Sequence, residues 1–184
     1  MKNFAKVFLG LSLLIGLAGC GNETEIVTGA TKEFQDPHFV INYPDNWIIK
    51  TRQDFSPEIP KETVVTFSKP EPRDGYRTTI SVINDIVPPA TTSLDYAKAN
   101  INNAVKGVLS FEKIEERDVE ISGEKTKLII FKGKSNLNAK TLKYIQTYLV
   151  TGELGYTITA SDLLDIEEND FKILQDLVTS FKLR

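Results

Sequence analysis

The chain has 184 residues, with 22 Lys and Arg against 25 Asp and Glu, a formal net charge of −3, one His and one Cys. Mild acidity offers no basic face for nucleic acid. A lone His excludes a His-rich metal centre, and a lone Cys excludes an internal disulfide. The length suits one domain with a real core.

Taken in order, the chain begins with a positive start, Lys2 and Lys6, and an apolar run over residues 7–18 broken only by Gly10, Ser12 and Gly16. The run is shorter than the roughly 20 apolar residues needed to span a ~30 Å hydrocarbon core. Charged start, apolar middle and small-residue exit are the layout of a secretory signal peptide. Its exit, Leu17-Ala18-Gly19-Cys20, resembles the lipobox of bacterial lipoproteins. That resemblance implies a diacylglyceryl group on the Cys20 thiol and cleavage between Gly19 and Cys20. The new amine can then be acylated too. The small Ala18 and Gly19 suit a narrow protease cleft. Two or three acyl chains anchor firmly where one is marginal, at ~0.8 kcal/mol per buried methylene. Loss of Lys2 and Lys6 takes the charge from −3 to −5, so charge does not draw the protein to anionic lipid. The expectation is a signal peptide over 1–19, a lipidated polar tether over 20–35 with a short first strand at its end, and a domain over 36–184, held outside the cytoplasm on a membrane face.

Residues 39–44 alternate, with Phe39, Ile41 and Tyr43 on one face of a half-buried strand. Pro44 ends it, Asp45-Asn46 is turn chemistry, and Ile48-Ile49 resumes a strand after Trp47. Val64, Val65 and Phe67 mark another strand, and 79–86 the next, rich in β-branched residues. Thr92 or Ser93 caps a helix whose apolar stripe is Leu94, Ala97, Ile101, Ala104, Val105 and Val108. Strands follow over 111–121 and 127–133 around a turn at Ser122-Gly123-Glu124. Another runs over 142–151, with Tyr144 and Tyr148 on one face. Gly152-Glu153-Leu154-Gly155 reads as a hairpin loop, and 156–160 as its returning strand. An acidic stretch, 162–170, precedes a closing helix striped by Phe171, Leu174, Leu177, Val178 and Phe181. Strands on short turns plus two amphipathic helices give an α+β layered domain.

The run Phe39-Val40-Ile41-Asn42-Tyr43-Pro44-Asp45-Asn46-Trp47 resembles the opening of PsbP-like domains. The helix start Ser93-Leu94-Asp95-Tyr96, the 152–156 hairpin and the Ser180-Phe181-Lys182 ending resemble later landmarks of that family, in the same order. The resemblance covers residues 34–183. It implies an antiparallel sheet of about six strands sandwiched by helices. The family includes the extrinsic subunit of photosystem II, a cyanobacterial lipoprotein relative and many bacterial lipoproteins. The ion-protecting N-terminal segment credited to the photosynthetic subunit has no counterpart here, so that role is not carried over and no cofactor is expected. The implied function is a membrane-anchored, non-enzymatic lipoprotein. Its expected partners are membrane lipid, through acylated Cys20, and an envelope or membrane protein that it binds or helps assemble. The alternative is a lipid-anchored carrier or sensor of a small ligand.

Other chemistry is weaker. Ser110…Lys113 and Ser122…Lys125 match the Ser-x-x-Lys string of penicillin-binding enzymes, but the companion motifs are missing. Asp162, Asp165, Glu167, Glu168 and Asp170 lack the spacing of a calcium loop and complement a helix start instead. His38, one residue before a strand, reads as a surface or packing residue. Tyr43 and Trp47, with the tyrosines at 144, 148 and 156, would line the pocket of a ligand binder; in a sheet such aromatics also build core.

Overall fold

The computed structural model describes residues 30–184. The proposed signal peptide, Gly19 and Cys20 lie outside the described residues. The strands are β1 (Thr31–Gln35), β2 (Phe39–Pro44), β3 (Ile48–Thr51), β4 (Thr63–Ser68), β5 (Thr79–Ile86), β6 (Leu109–Ile121), β7 (Glu124–Lys134), β8 (Leu142–Thr151), β9 (Leu154–Leu163) and β10 (Lys182–Leu183). The helices are α1 (Ser93–Gly107) and α2 (Glu168–Thr179), with a 3₁₀ turn at Arg52–Asp54. Seven strands pair antiparallel in the order β3-β4-β5-β9-β8-β7-β6. A separate three-stranded sheet has the order β1-β2-β10. The α+β sandwich implied by the resemblance is present, but its strands are divided seven and three where one sheet of about six was expected. The division falls at the turn after Pro44, where Asp45 N–H donates to the Ala30 carbonyl and Trp47 N–H to that of Pro44. It hands the chain from the small sheet to the edge of the large one.

The two faces of the large sheet explain its sequence. A central strand covered on both sides loses polar alternation and reads as a continuous apolar run. β7 does so at Leu128, Ile129, Ile130 and Phe131, all buried. Leu128 and Ile130 pack with β2, α2 and Phe181, while Ile129 and Phe131 pack with α1. β8 divides in the same way, with Ile145 and Leu149 toward the small sheet and Tyr144 and Tyr148 toward α1.

α1 buries Tyr96, Ala97, Ile101 and Ala104, and leaves Val105, expected in the stripe, 51% exposed. Tyr96 draws the buried stripe one residue round the helix, so Val105 falls on its rim. Thr92 is the N-cap: its Oγ1 accepts from Asp95 N–H and donates to the Asp95 carboxylate. Thr92→Ala should cost about 1 kcal/mol, read as a lower urea midpoint with an unchanged slope. α2 buries Phe171, Leu174, Leu177 and Val178, and Lys143 Nζ lies 3.6 Å from the centre of the Phe171 ring. No helix among the described residues is long and apolar enough to cross a membrane.

Other boundaries differ from expectation: β6 starts at Leu109, β7 covers Glu124–Lys134 and β9 covers Leu154–Leu163. Gly155 lies in β9, not in a loop, because Gly152 at φ 60° completes the turn with Glu153 alone. β10 was not foreseen; two residues carry no periodicity to read.

Candidate functional site

Tyr43 and Trp47, the expected pocket residues, are both buried in the core between the sheets. Tyr43 stacks on Phe67 at 5.0 Å between ring centres. Trp47 borders a crevice of about 10 Å³ shared with Lys69, Thr78, Asp162 and Asp170, room for a single water. Its Nε1 has no hydrogen-bond partner among the described residues. Beside it, buried Asp162 accepts from Thr78 Oγ1 at 2.6 Å and from Leu163 N–H at 2.6 Å.

The acidic stretch is accounted for locally. Arg73 bridges Asp162 at 3.5 Å and Asp165 at 3.1 Å, Lys69 pairs with Asp170 at 3.1 Å, and Glu168 and Asp170 sit in the first turn of α2. Among the described residues, no three His, Cys, Asp or Glu gather as a metal site would require. Ser122 occupies a turn at φ 57°, followed by Gly123 at 79°, the geometry of a tight hairpin. Its Oγ accepts from Leu183 N–H at 2.9 Å. Tyr148 is fully buried and donates to Gln146 Oε1 at 2.8 Å, and burial drives its phenol pKa far up.

The larger opening lies elsewhere. A groove of about 380 Å³ runs between the β1–β2 turn and the 3₁₀ turn after β3. Its apolar lining is Phe34, Phe39 and Val64, with the Tyr156 ring; its polar lining is Asp36, His38, Thr51, Arg52, Gln53 and Asn84. Each is fixed by local structure. Asp36 Oδ1 caps the β1–β2 turn by accepting from His38 N–H at 3.0 Å. Thr51 N–H and Oγ1 both donate to Asp54, which lowers the Asp54 pKa, and so set the 3₁₀ turn. Arg52 reaches across to donate to Asn84 Oδ1 at 3.2 Å. The Tyr156 ring packs edge-on against Phe39 at 5.5 Å and beside Phe181 at 5.5 Å. Of these residues the sequence singled out His38 and Tyr156, without joining them. The groove draws on five separate stretches of chain, and no spacing in any one of them marks it.

No protein-family model and no curated protein match the sequence. Solved structures match the fold. Cyanobacterial PsbP (CyanoP) from Synechocystis sp. is 19% identical, with a TM-score of 0.57, over 91% of this chain and 99% of that one. The Ran-binding protein Mog1p of Saccharomyces cerevisiae is 14% identical, with a TM-score of 0.56, over 85% of this chain and 96% of that one. LpqN, involved in cell envelope biogenesis of Mycobacterium tuberculosis, is 13% identical, with a TM-score of 0.53, over 84% of this chain and 90% of that one. At these identities the likeness establishes the architecture and nothing finer: two antiparallel sheets and two helices in a PsbP-like α+β fold, as the stretch 39–47 led one to expect.

Proposed function

We propose that this chain is a lipid-anchored, non-enzymatic protein of a bacterial envelope that binds, or helps assemble, another envelope or membrane protein. The observation that carries the reading is Leu17-Ala18-Gly19-Cys20, a lipobox-like stretch ending in the chain's one Cys, set ahead of a folded PsbP-like body. Two proteins of the same fold add support: Mog1p binds Ran, and LpqN takes part in envelope biogenesis. In this reading residues 1–19 are removed and membrane lipid holds acylated Cys20. The eleven residues from Cys20 to Ala30 then precede β1, and fully extended they reach roughly 40 Å.

The test is Cys20→Ser in cells fed a clickable fatty acid. The wild-type chain should be labelled, cleaved and membrane-bound; the variant should be unlabelled and accumulate as precursor. A variant that is still cleaved and still fractionates with membranes would overturn the anchor. Crosslinking on intact membranes should then recover one reproducible envelope protein with the wild-type chain. Recovering none would overturn the binding role.

A further inference from the structure

The loop between β7 and β8 carries the most exposed large apolar side chain among the described residues, Leu137, at 83%. A single exposed leucine is ordinary on a protein surface, but the setting of this one is not. Asn136 closes the turn around it: its Oδ1 accepts from Asn138 N–H at 3.0 Å and its carbonyl from Ala139 N–H at 3.2 Å. Leu137 is thereby held at the tip. Lys134 and Lys140 flank it, and residues 125–152 hold lysines but no Asp or Glu. Lys127 and Lys132 are paired with acids of β6. Lys134 and Lys140 form no ion pair among the described residues.

This loop lies at the end of the molecule where the chain enters β1, as a run of contacts shows. The Ala30 carbonyl accepts from Asp45 N–H. Two residues on, Trp47 shares its crevice with Lys69, Thr78 and Asp162. Arg73, between β4 and β5, pairs with Asp162 and Asp165. The carbonyl of the next residue, Asp74, accepts from Lys140 Nζ. From β3 to β7 there are five steps in the sheet order, roughly 24 Å at ~4.8 Å each. That is less than the roughly 40 Å that residues 20–30 span when extended. Ile86, 81% exposed, is at the opposite end of β5 from Thr79, which pairs with Ser161 beside Asp162.

We propose that the β7–β8 loop is a second membrane contact, in which Leu137 enters the interface of an anionic bilayer while Lys134 and Lys140 meet its phosphates. The contact would fix the orientation of the moored domain. It rests on the Cys20 anchor of the proposed function. One leucine and two lysines bind a bilayer too weakly to hold a free protein. A short tether holds the loop near the surface at high effective concentration, where a weak contact suffices. The chain's overall acidity keeps the remaining surface off anionic lipid, and this loop is where the sign reverses.

The test uses Leu137→Trp and Ile86→Trp full chains, recovered from membranes in detergent. They are reconstituted into phosphatidylethanolamine–phosphatidylglycerol vesicles with brominated acyl chains. Trp47 is buried and gives both chains the same background. The indole at 137 should emit to the blue and be quenched by the bromine; the indole at 86 should do neither. Lys134→Glu with Lys140→Glu in the Leu137→Trp chain should lower the docked fraction by about tenfold or more, with the melting temperature unchanged. An unquenched indole at 137 in a chain that sediments with the vesicles would overturn the proposal. So would equal quenching at 86, or quenching indifferent to the charge reversal. A blue shift already present in detergent and growing with protein concentration would mean a second copy on the loop, and would overturn it too. Sedimentation and the mass of the chain read the anchor separately. A chain with unacylated Cys20 that leaves the vesicles overturns both readings, whereas an acylated chain on the vesicles with 137 unquenched overturns only this one.

Discussion

Phe39→Ala should destabilise the protein by roughly 3–5 kcal/mol, a large share of the ~5–15 kcal/mol that holds a typical domain together. Phe39 is fully buried. Its ring stacks on Phe181 at 4.7 Å, meets Tyr156 edge-on at 5.5 Å and lies 6.1 Å from Phe34. Among the described residues, no backbone ladder joins the three-stranded sheet to the seven-stranded one. Side-chain packing between the layers therefore carries the attachment, and Phe39 sits at its centre. It joins a strand of the small sheet, a strand of the large sheet and the segment after α2. Each aromatic pair adds ~0.5–1.5 kcal/mol beyond its buried area. Urea unfolding followed by Trp47 fluorescence should show a much lower midpoint, and amide exchange should quicken first in β1, β2 and β10. A loss below about 1 kcal/mol would mean that the layers are held by something other than this aromatic cluster.

Gly155→Ala is the second large effect, expected at about 1–3 kcal/mol. A Cβ there would lie 2.7 Å from Tyr96 Cζ, 2.8 Å from Tyr96 Cε2 and 2.8 Å from Val87 Cγ1. The Tyr96 ring cannot simply step aside. Its hydroxyl donates to Asp85 Oδ2 at 2.7 Å and lies 3.2 Å from Thr157 Oγ1, and burial together with the Asp85 charge pushes its phenol pKa far up. Moving the ring breaks a charge-assisted hydrogen bond and loosens the first turns of α1 on the sheet. The mechanism predicts non-additivity. In a Tyr96→Ala background the same Gly155→Ala change should cost less, because the ring is gone and only the Val87 Cγ1 contact at 2.8 Å remains. Equal costs in the two backgrounds would place the strain elsewhere.

The sequence made the layers readable wherever burial imposes a period. Phe39, Ile41 and Tyr43 alternate because β2 covers one face of the large sheet, and all three lie in that core. The unbroken run at 128–131 belongs to a strand covered on both sides. The stripe of α2 was legible down to Phe181, which packs in the same core just past the helix. What stayed hidden was partnership. Nothing in the residues around Pro44 says that β2 and β3 join different sheets; that follows from which strands arrive beside them later. The groove was hidden for the same reason. Asp36, Arg52, Asn84 and Tyr156 are ordinary surface or core residues one at a time, and only strand pairing brings them together. Trp47 and Tyr43 were the conspicuous aromatics, but their size was taken up by packing.

The order in which β2 finds its neighbours has a kinetic consequence. Its first partner, β1, is an adjacent strand, but its second, β10, follows at residues 182–183, and Asn42 N–H donates to Ser180 Oγ across 138 residues of chain. Contacts between segments so far apart close the largest loops and slow folding. A chain emerging from its N-terminus therefore holds half of the small sheet open, its aromatic side unsealed, until residues 182–183 are free. The interval before β10 is available is when the chain is most exposed to aggregation.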